Sequence, residues 1–132
     1  MLDLGLFIIR LVIGISFFAH GAQKLFGWFG GYGLKGTGGW MDSLGLKPGV
    51  TMALFAGVAE FAGGILFVLG LFTPFAGIMI ALTMLVAIGK VHFANGYWST
   101  NNGYEYNLAL LAVAIGLALT GAGRFALDAV LF

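Results

Sequence analysis

Four long apolar runs, over residues 4–26, 50–71, 75–93 and 104–120, take up most of this chain. The hydrocarbon core of a bilayer calls for roughly 20 apolar residues per helix, with a range of about 17–25. Only 8% of the 132 residues are charged and 61% are hydrophobic. A soluble domain of that size would lack the polar side chains to cover its surface. Lipid must therefore be the main solvent. Backbone in lipid has to satisfy its own hydrogen bonds, and the runs lack the alternation of a β-barrel, which leaves helices. Disorder is excluded by a mean hydropathy of +1.04. The expectation is an all-α membrane protein, a single transmembrane domain over residues 1–132.

The connections sort the runs into an up-down-up-down four-helix bundle. A tight turn at residues 70–74 lies on the side where the chain starts, called here the near side, and Pro74 suits the first turn of the third helix. The connections at 27–49 and 94–103 lie on the far side. The first of these is rich in Gly and carries Trp28, Phe29, Tyr32 and Trp40. Such residues settle at membrane interfaces, so this loop is expected along the far surface, with a short interfacial helix near residues 40–46. Asp3 stands where a signal peptide would carry basic residues, and no cleavage site precedes polar sequence, so the first run reads as a retained span. Gly121-Ala122-Gly123 stops the fourth run before a short tail with Arg124 and Asp128.

Ionisable groups inside a membrane are costly and usually face the interior with a partner. Helical spacing puts Arg10, Gly14, Phe17, Gly21 and Lys24 on one stripe of the first run, with His20 beside it. The second run gives Ala53, Gly57, Glu60, Gly64 and Phe67, and the third gives Gly77, Ala81, Ile88 and His92. The fourth gives Glu105, Ala109, Ala112 and Gly116. Polar and small residues coincide, which suits inward stripes of closely packed helices. Lys90 falls on another face and is expected to snorkel. At ~1.5 Å per residue, Arg10 lies roughly 9 Å and Glu60 about 16 Å from the near side. His20 and His92 lie at about 24–27 Å, near Lys24 and Glu105. The expectation is one polar column, with Arg10 at its floor bridging to Glu60, and His20, His92, Lys24 and Glu105 around its mouth.

Three readings of that column stay open. Arg10 and Glu60 could be a structural pair that fixes helix register. The column could instead hold a quinone or similar flat ligand, its carbonyls bonded by His and Lys. Or Glu60 could be the proton site of a small-solute carrier. A haem between His20 and His92 is a variant, but lone histidines more often hydrogen-bond than ligate metal. No other metal set is expected. Gly31-Tyr32-Gly33-Leu34-Lys35-Gly36 matches a dinucleotide fingerprint in letters only, because no strand precedes it. There is no Cys, so thiol or iron–sulfur chemistry would have to come from a partner. Nothing in the charge pattern suggests nucleic acid.

The motifs resemble those of the DoxX family of small bacterial and archaeal membrane proteins, including its DoxD-like members. The resemblance is carried by Arg10, by the block His20-Gly21-Ala22-Gln23-Lys24-Leu25-Phe26-Gly27, and by Trp40-Met41-Asp42-Ser43-Leu44-Gly45. It continues through Glu60 with Gly63-Gly64, Leu69-Gly70-Leu71-Phe72-Thr73, His92-Phe93 and Gly103-Tyr104-Glu105-Tyr106-Asn107-Leu108. It ends with Gly121-Ala122-Gly123-Arg124 and Leu127-Asp128, where Ala122 replaces the usual Pro. These blocks span nearly the whole chain. The resemblance implies a multi-pass protein of the bacterial or archaeal plasma membrane. It further implies a subunit of a quinone-linked or redox-stress membrane system, at most one part of an oxidoreductase complex, with a redox partner protein. A relative, DoxD, is a subunit of a thiosulfate:quinone oxidoreductase. The rivals are a proton-coupled carrier and a structural assembly subunit. Small-residue stripes would also suit a homo-oligomer. Lys24, Lys35, Lys47 and Lys90 outnumber Arg10 and Arg124, a slight bias toward a cytoplasmic far side that leaves orientation open.

Overall fold

The computed structural model describes residues 1–132, and no strand occurs. Six α-helices follow one another: α1 Leu2–Phe26, α2 Gly33–Ser43, α3 Gly49–Leu69, α4 Thr73–Ala87, α5 Glu105–Thr120 and a terminal turn, α6 Leu127–Leu131. α4 continues through a π-helical turn at Ile88–His92 and a 3-10 turn at Phe93–Asn95. Three helices are long and apolar enough to cross a bilayer, Leu2–Phe26, Gly49–Leu69 and Thr73–Asn95, while Glu105–Thr120 is apolar but shorter. Large apolar side chains such as Ile8, Val12, Phe55, Val58 and Leu82 lie exposed along these helices. Only lipid accepts so much outward apolar surface.

α1 packs along α3, α3 against α4, and α4 against α5. The first contact is set by glycine. A Cβ on Gly14 would stand 2.8 Å from the Gly64 carbonyl oxygen, and one on Gly21 would strike the backbone of Phe61. Close backbone approach of this kind replaces the hydrophobic effect as the source of helix cohesion in lipid. The expected stripes of α1 and α3 are the buried ones: Arg10, Gly14, Phe17 and Gly21 on α1, and Ala53, Gly57, Glu60, Gly64 and Phe67 on α3. Lys90 is exposed, as expected of a snorkelling side chain.

The stripe expected on α5 is wrong. Ala109 and Ala112 are exposed, while Asn107, Leu110, Leu111, Ala114 and Leu117 are buried. The small residues of this contact are Gly77 on α4 and Ala114 and Ala118 on α5: a Cβ on Gly77 would lie 2.6 Å from the Ala114 carbonyl oxygen and 3.0 Å from the Ala118 Cβ. With α4 supplying the close approach, α5 turns its bulky leucines inward to fill the core with Phe17, Phe67 and Ile80.

The 27–49 connection also differs from expectation. Its helix starts at Gly33 and ends at Ser43 despite Gly36, Gly38 and Gly39, residues that weaken a helix by about 1 kcal/mol each. Tertiary packing overrides that cost. A Cβ on Gly38 would lie 2.7 Å from the Val50 side chain, and one on Gly49 would collide with the Gly38 carbonyl. Asp42 Oδ1 accepts the Gly49 N–H at 2.9 Å, supplying α3 with the cap that Pro48 cannot.

The near end is closed by the C-terminal tail. α3 ends in a Schellman turn, with the Leu71 N–H on the Leu66 carbonyl and the Gly70 N–H on that of Phe67. Gly70 sits at φ 66°, where a Cβ would also meet Ala126 and the Arg10 guanidinium. The N-cap of α4 is Phe72, whose side chain cannot cap. Asp128 of the tail does so instead, accepting the Phe72 N–H at 2.7 Å and the Thr73 N–H at 3.0 Å. Asp3 Oδ1 holds the Arg124 N–H at 3.0 Å.

Candidate functional site

The expected polar column is divided between the two ends. Arg10 is fully buried but never meets Glu60. Its guanidinium donates to the carbonyls of Phe67 at 2.9 Å, Val68 at 3.4 Å and Phe125 at 2.5 Å. It thus caps the C-terminus of α3, where exposed carbonyls favour a cation. The partner of Glu60 is Lys24, whose Nζ lies 2.9 Å from Oε1 and 2.8 Å from Oε2. The reason is the lean of helical side chains. Each Cα–Cβ bond tilts toward its helix N-terminus. Arg10 and Lys24 on α1 both lean toward the near end, which carries Arg10 away from Glu60 and Lys24 toward it. Glu60, on a helix that starts at the far end, leans up to meet Lys24.

Above this pair lies a cavity of ≈ 460 Å³. α1 contributes Phe17, His20 and Lys24, and α2 covers it with Trp40 and Met41, followed by Leu44 just past its end. α3 contributes Met52, Ala56, Ala59 and Glu60, and α4 contributes Met79, Thr83, Met84 and Ala87. His92, Tyr106, Asn107 and Leu110 also line it, with Phe55 and Val86 among the remaining apolar residues. Most of the lining is apolar. Four of the chain's five methionines are among it, giving a soft, adaptable surface.

Of the six expected site residues, His20, Lys24, Glu60 and His92 meet here, and Arg10 and Glu105 do not. Glu105 Oε1 accepts the Ser99 N–H at 3.1 Å and orders the connection that leads into α5. The π turn that delivers His92 is a feature often found at functional positions. His92 Nδ1 lies 2.9 Å from the Asn102 carbonyl oxygen. A carbonyl only accepts, so Nδ1 carries the hydrogen and Nε2 remains available as an acceptor in the neutral ring. No three His, Asp or Glu side chains cluster in a metal-holding group.

Counting only ionisable groups missed Asn107, which is buried with Nδ2 3.7 Å from the Met84 sulfur. A neutral amide inside an apolar run carries the same signal as a charge there. The methionines gave no such signal, since each looks like core in one dimension.

A second, more polar crevice of ≈ 560 Å³ borders the first. It is lined by Gln23, Lys24, Gly30, Gly31, Tyr32, Gly36, Thr37 and Trp40. Lys24 and Trp40 belong to both and stand between them. The Gly31–Gly36 motif lines this crevice after a 3-10 turn rather than a strand. Gly31 serves close packing, because a Cβ there would lie 2.5 Å from the Gln23 Cα.

The DoxX family model matches residues 5–93. The chain belongs to the DoxX family. It is 34% identical over 130 residues to the "Putative oxidoreductase CatD" of Bacillus subtilis, covering 98% of this chain and 89% of that protein. It is 30% identical over 132 residues to the "Inner membrane protein YphA" of Escherichia coli, covering 93% and 87%. The "Uncharacterized membrane protein Rv3486" of Mycobacterium tuberculosis is 28% identical over 130 residues, covering 91% and 77%. No solved structure matches the chain. This DoxX chain is accordingly a membrane protein.

Proposed function

We propose that this DoxX protein is a four-helix, up-down-up-down transmembrane domain over residues 1–132 in a bacterial or archaeal plasma membrane. In this reading it serves a quinone-linked or redox-stress membrane system as a ligand-binding subunit. The observation that carries the reading is the cavity itself: a Lys24–Glu60 pair, its carboxylate buried and its ammonium half-buried, and two histidines at the edge of a methionine- and aromatic-lined chamber. Such a chamber suits a flat apolar ring whose carbonyl oxygens take hydrogen bonds from Lys24 or a histidine. The ring would supply the electron-accepting chemistry, and this chain would bind and orient it. With no cysteine in the chain, electrons would come from a partner protein or another bound group. The name of the Bacillus subtilis relative, "Putative oxidoreductase CatD", points in the same direction.

The test is to purify the protein in lipid nanodiscs and titrate a short-chain benzoquinone. Trp40 lines the cavity, so binding should quench tryptophan fluorescence and raise the unfolding temperature. Glu60→Gln should weaken that binding. Absence of quenching and of any thermal shift in the wild type rejects the quinone reading.

A proton-coupled carrier is the second reading, favoured by the placement of Lys24 between the apolar cavity and the polar crevice. A carboxylate beside that boundary could exchange protons with the crevice. Uptake into liposomes that follows an imposed pH gradient and disappears in Glu60→Gln would favour it. Uptake unchanged by Glu60→Gln would exclude Glu60 as the proton site.

A further inference from the structure

α3 and α4 face each other along two stripes that change character halfway up. At the lower level Gly63 meets Ile80, a Cβ on the glycine falling 2.9 Å from the isoleucine side chain, and both residues are buried. Higher on the same faces, Ala56 and Ala59 of α3 and Thr83 and Ala87 of α4 are only half-buried and line the cavity. These side chains are small enough for close packing, yet they border open space. At the outer edge, Phe55 is 65% exposed and Val86 51% exposed, and both still line the cavity.

Depth identifies what this cleft meets. Ala59 lies ten positions into α3, about 15 Å from its far end and so near the middle of the hydrocarbon layer. An opening at that level faces acyl chains. Trp40 and Met41 of α2 line the far end of the cavity.

We infer that the α3–α4 cleft is a lateral portal through which a bilayer amphiphile enters head first, leaving its long apolar tail in the cleft and the surrounding lipid. The head reaches Lys24 and Glu60 at the inner end, and the tail lies between Phe55 and Val86. This inference rests on the ligand-site reading above and adds the class of ligand and its route.

The absence of native cysteine makes a clean test possible. Phe55→Cys and Val86→Cys are introduced together and bridged by a flexible bifunctional thiosulfonate, which a reductant releases. Tryptophan quenching in nanodiscs then reports binding of two probes, a benzoquinone with a long isoprenoid tail and the same ring without a tail. Bridging should weaken the tailed probe at least about tenfold and leave the tail-less ring within about twofold, with recovery on reduction. Ala56→Phe, which narrows the cleft without a cross-link or an added tryptophan, should also weaken the tailed probe. Unchanged affinity for the tailed probe in the bridged protein overturns the portal and leaves the ligand site standing. Equal losses for both probes also overturn it, because the tail then gains nothing from the cleft. If neither probe binds the unmodified protein, the ligand-site reading fails and the portal falls with it.

Discussion

The two ends of this bundle hold similar side chains and use them oppositely. At the near end, Arg10, Asp3 and Asp128 spend their hydrogen bonds on backbone groups of the chain itself. Arg10 Nε and Thr73 Oγ1 are the buried side-chain atoms without a protein partner. At the far end, Lys24 and Glu60 satisfy each other while bordering a cavity, and His92 keeps a ring nitrogen free. Charge inside a membrane therefore marks cost in both places, but only spare capacity next to open space marks a candidate site. The most buried ionisable residue, Arg10, is a structural clamp.

The largest expected effect that tests this contrast is at Arg10. Arg10→Ala strands the Phe67, Val68 and Phe125 carbonyls, and should cost about 3 kcal/mol or prevent accumulation of the folded protein. Thermal unfolding in detergent measures it. Where protein is recovered, quinone quenching per folded molecule should be unchanged. A selective loss of binding with intact stability would break the division between the ends.

Next in size is the ion pair. Lys24→Ala leaves Glu60, almost entirely buried, without its cation, and should cost about 2 kcal/mol. A double-mutant cycle of Lys24→Ala with Glu60→Ala should show coupling of about 1–2 kcal/mol. The cycle of Arg10→Ala with Glu60→Ala should be additive to within about 0.5 kcal/mol. Coupling in the second cycle as large as in the first would restore the Arg10–Glu60 column.

Asp128→Ala removes the cap of α4 and should lower stability by about 1 kcal/mol, with early proteolysis of the tail. The smallest effect belongs to Glu105. Glu105→Gln keeps an oxygen for the Ser99 N–H, so stability should change by less than about 0.5 kcal/mol, and ligand quenching should not move. A clear loss of binding in that variant would return Glu105 to the cavity mouth.

Much of this could be read in one dimension. The length and polarity of the apolar runs imply membrane helices, because backbone in lipid has few alternatives. Period and residue size identify the inward faces of α1 and α3, where glycine and charge coincide. The expected register fails on α5, because its alanines recur on several faces and only the neighbouring helix selects Ala114 and Ala118 over Ala109 and Ala112. At that contact the neighbour is α4, with Gly77.

Sequence alone thus determined the solvent, the helices, the family resemblance and the inward position of Arg10, Lys24 and Glu60. Tertiary structure decided who pairs with whom. Depth along a helix follows from residue number, but the rotation of one helix about another and the lean of long side chains do not. Those two variables send Arg10 to the end of α3, join Lys24 to Glu60, fold a glycine-rich connection into α2, and leave a chamber bordered by α3 and α4 that no single segment encodes.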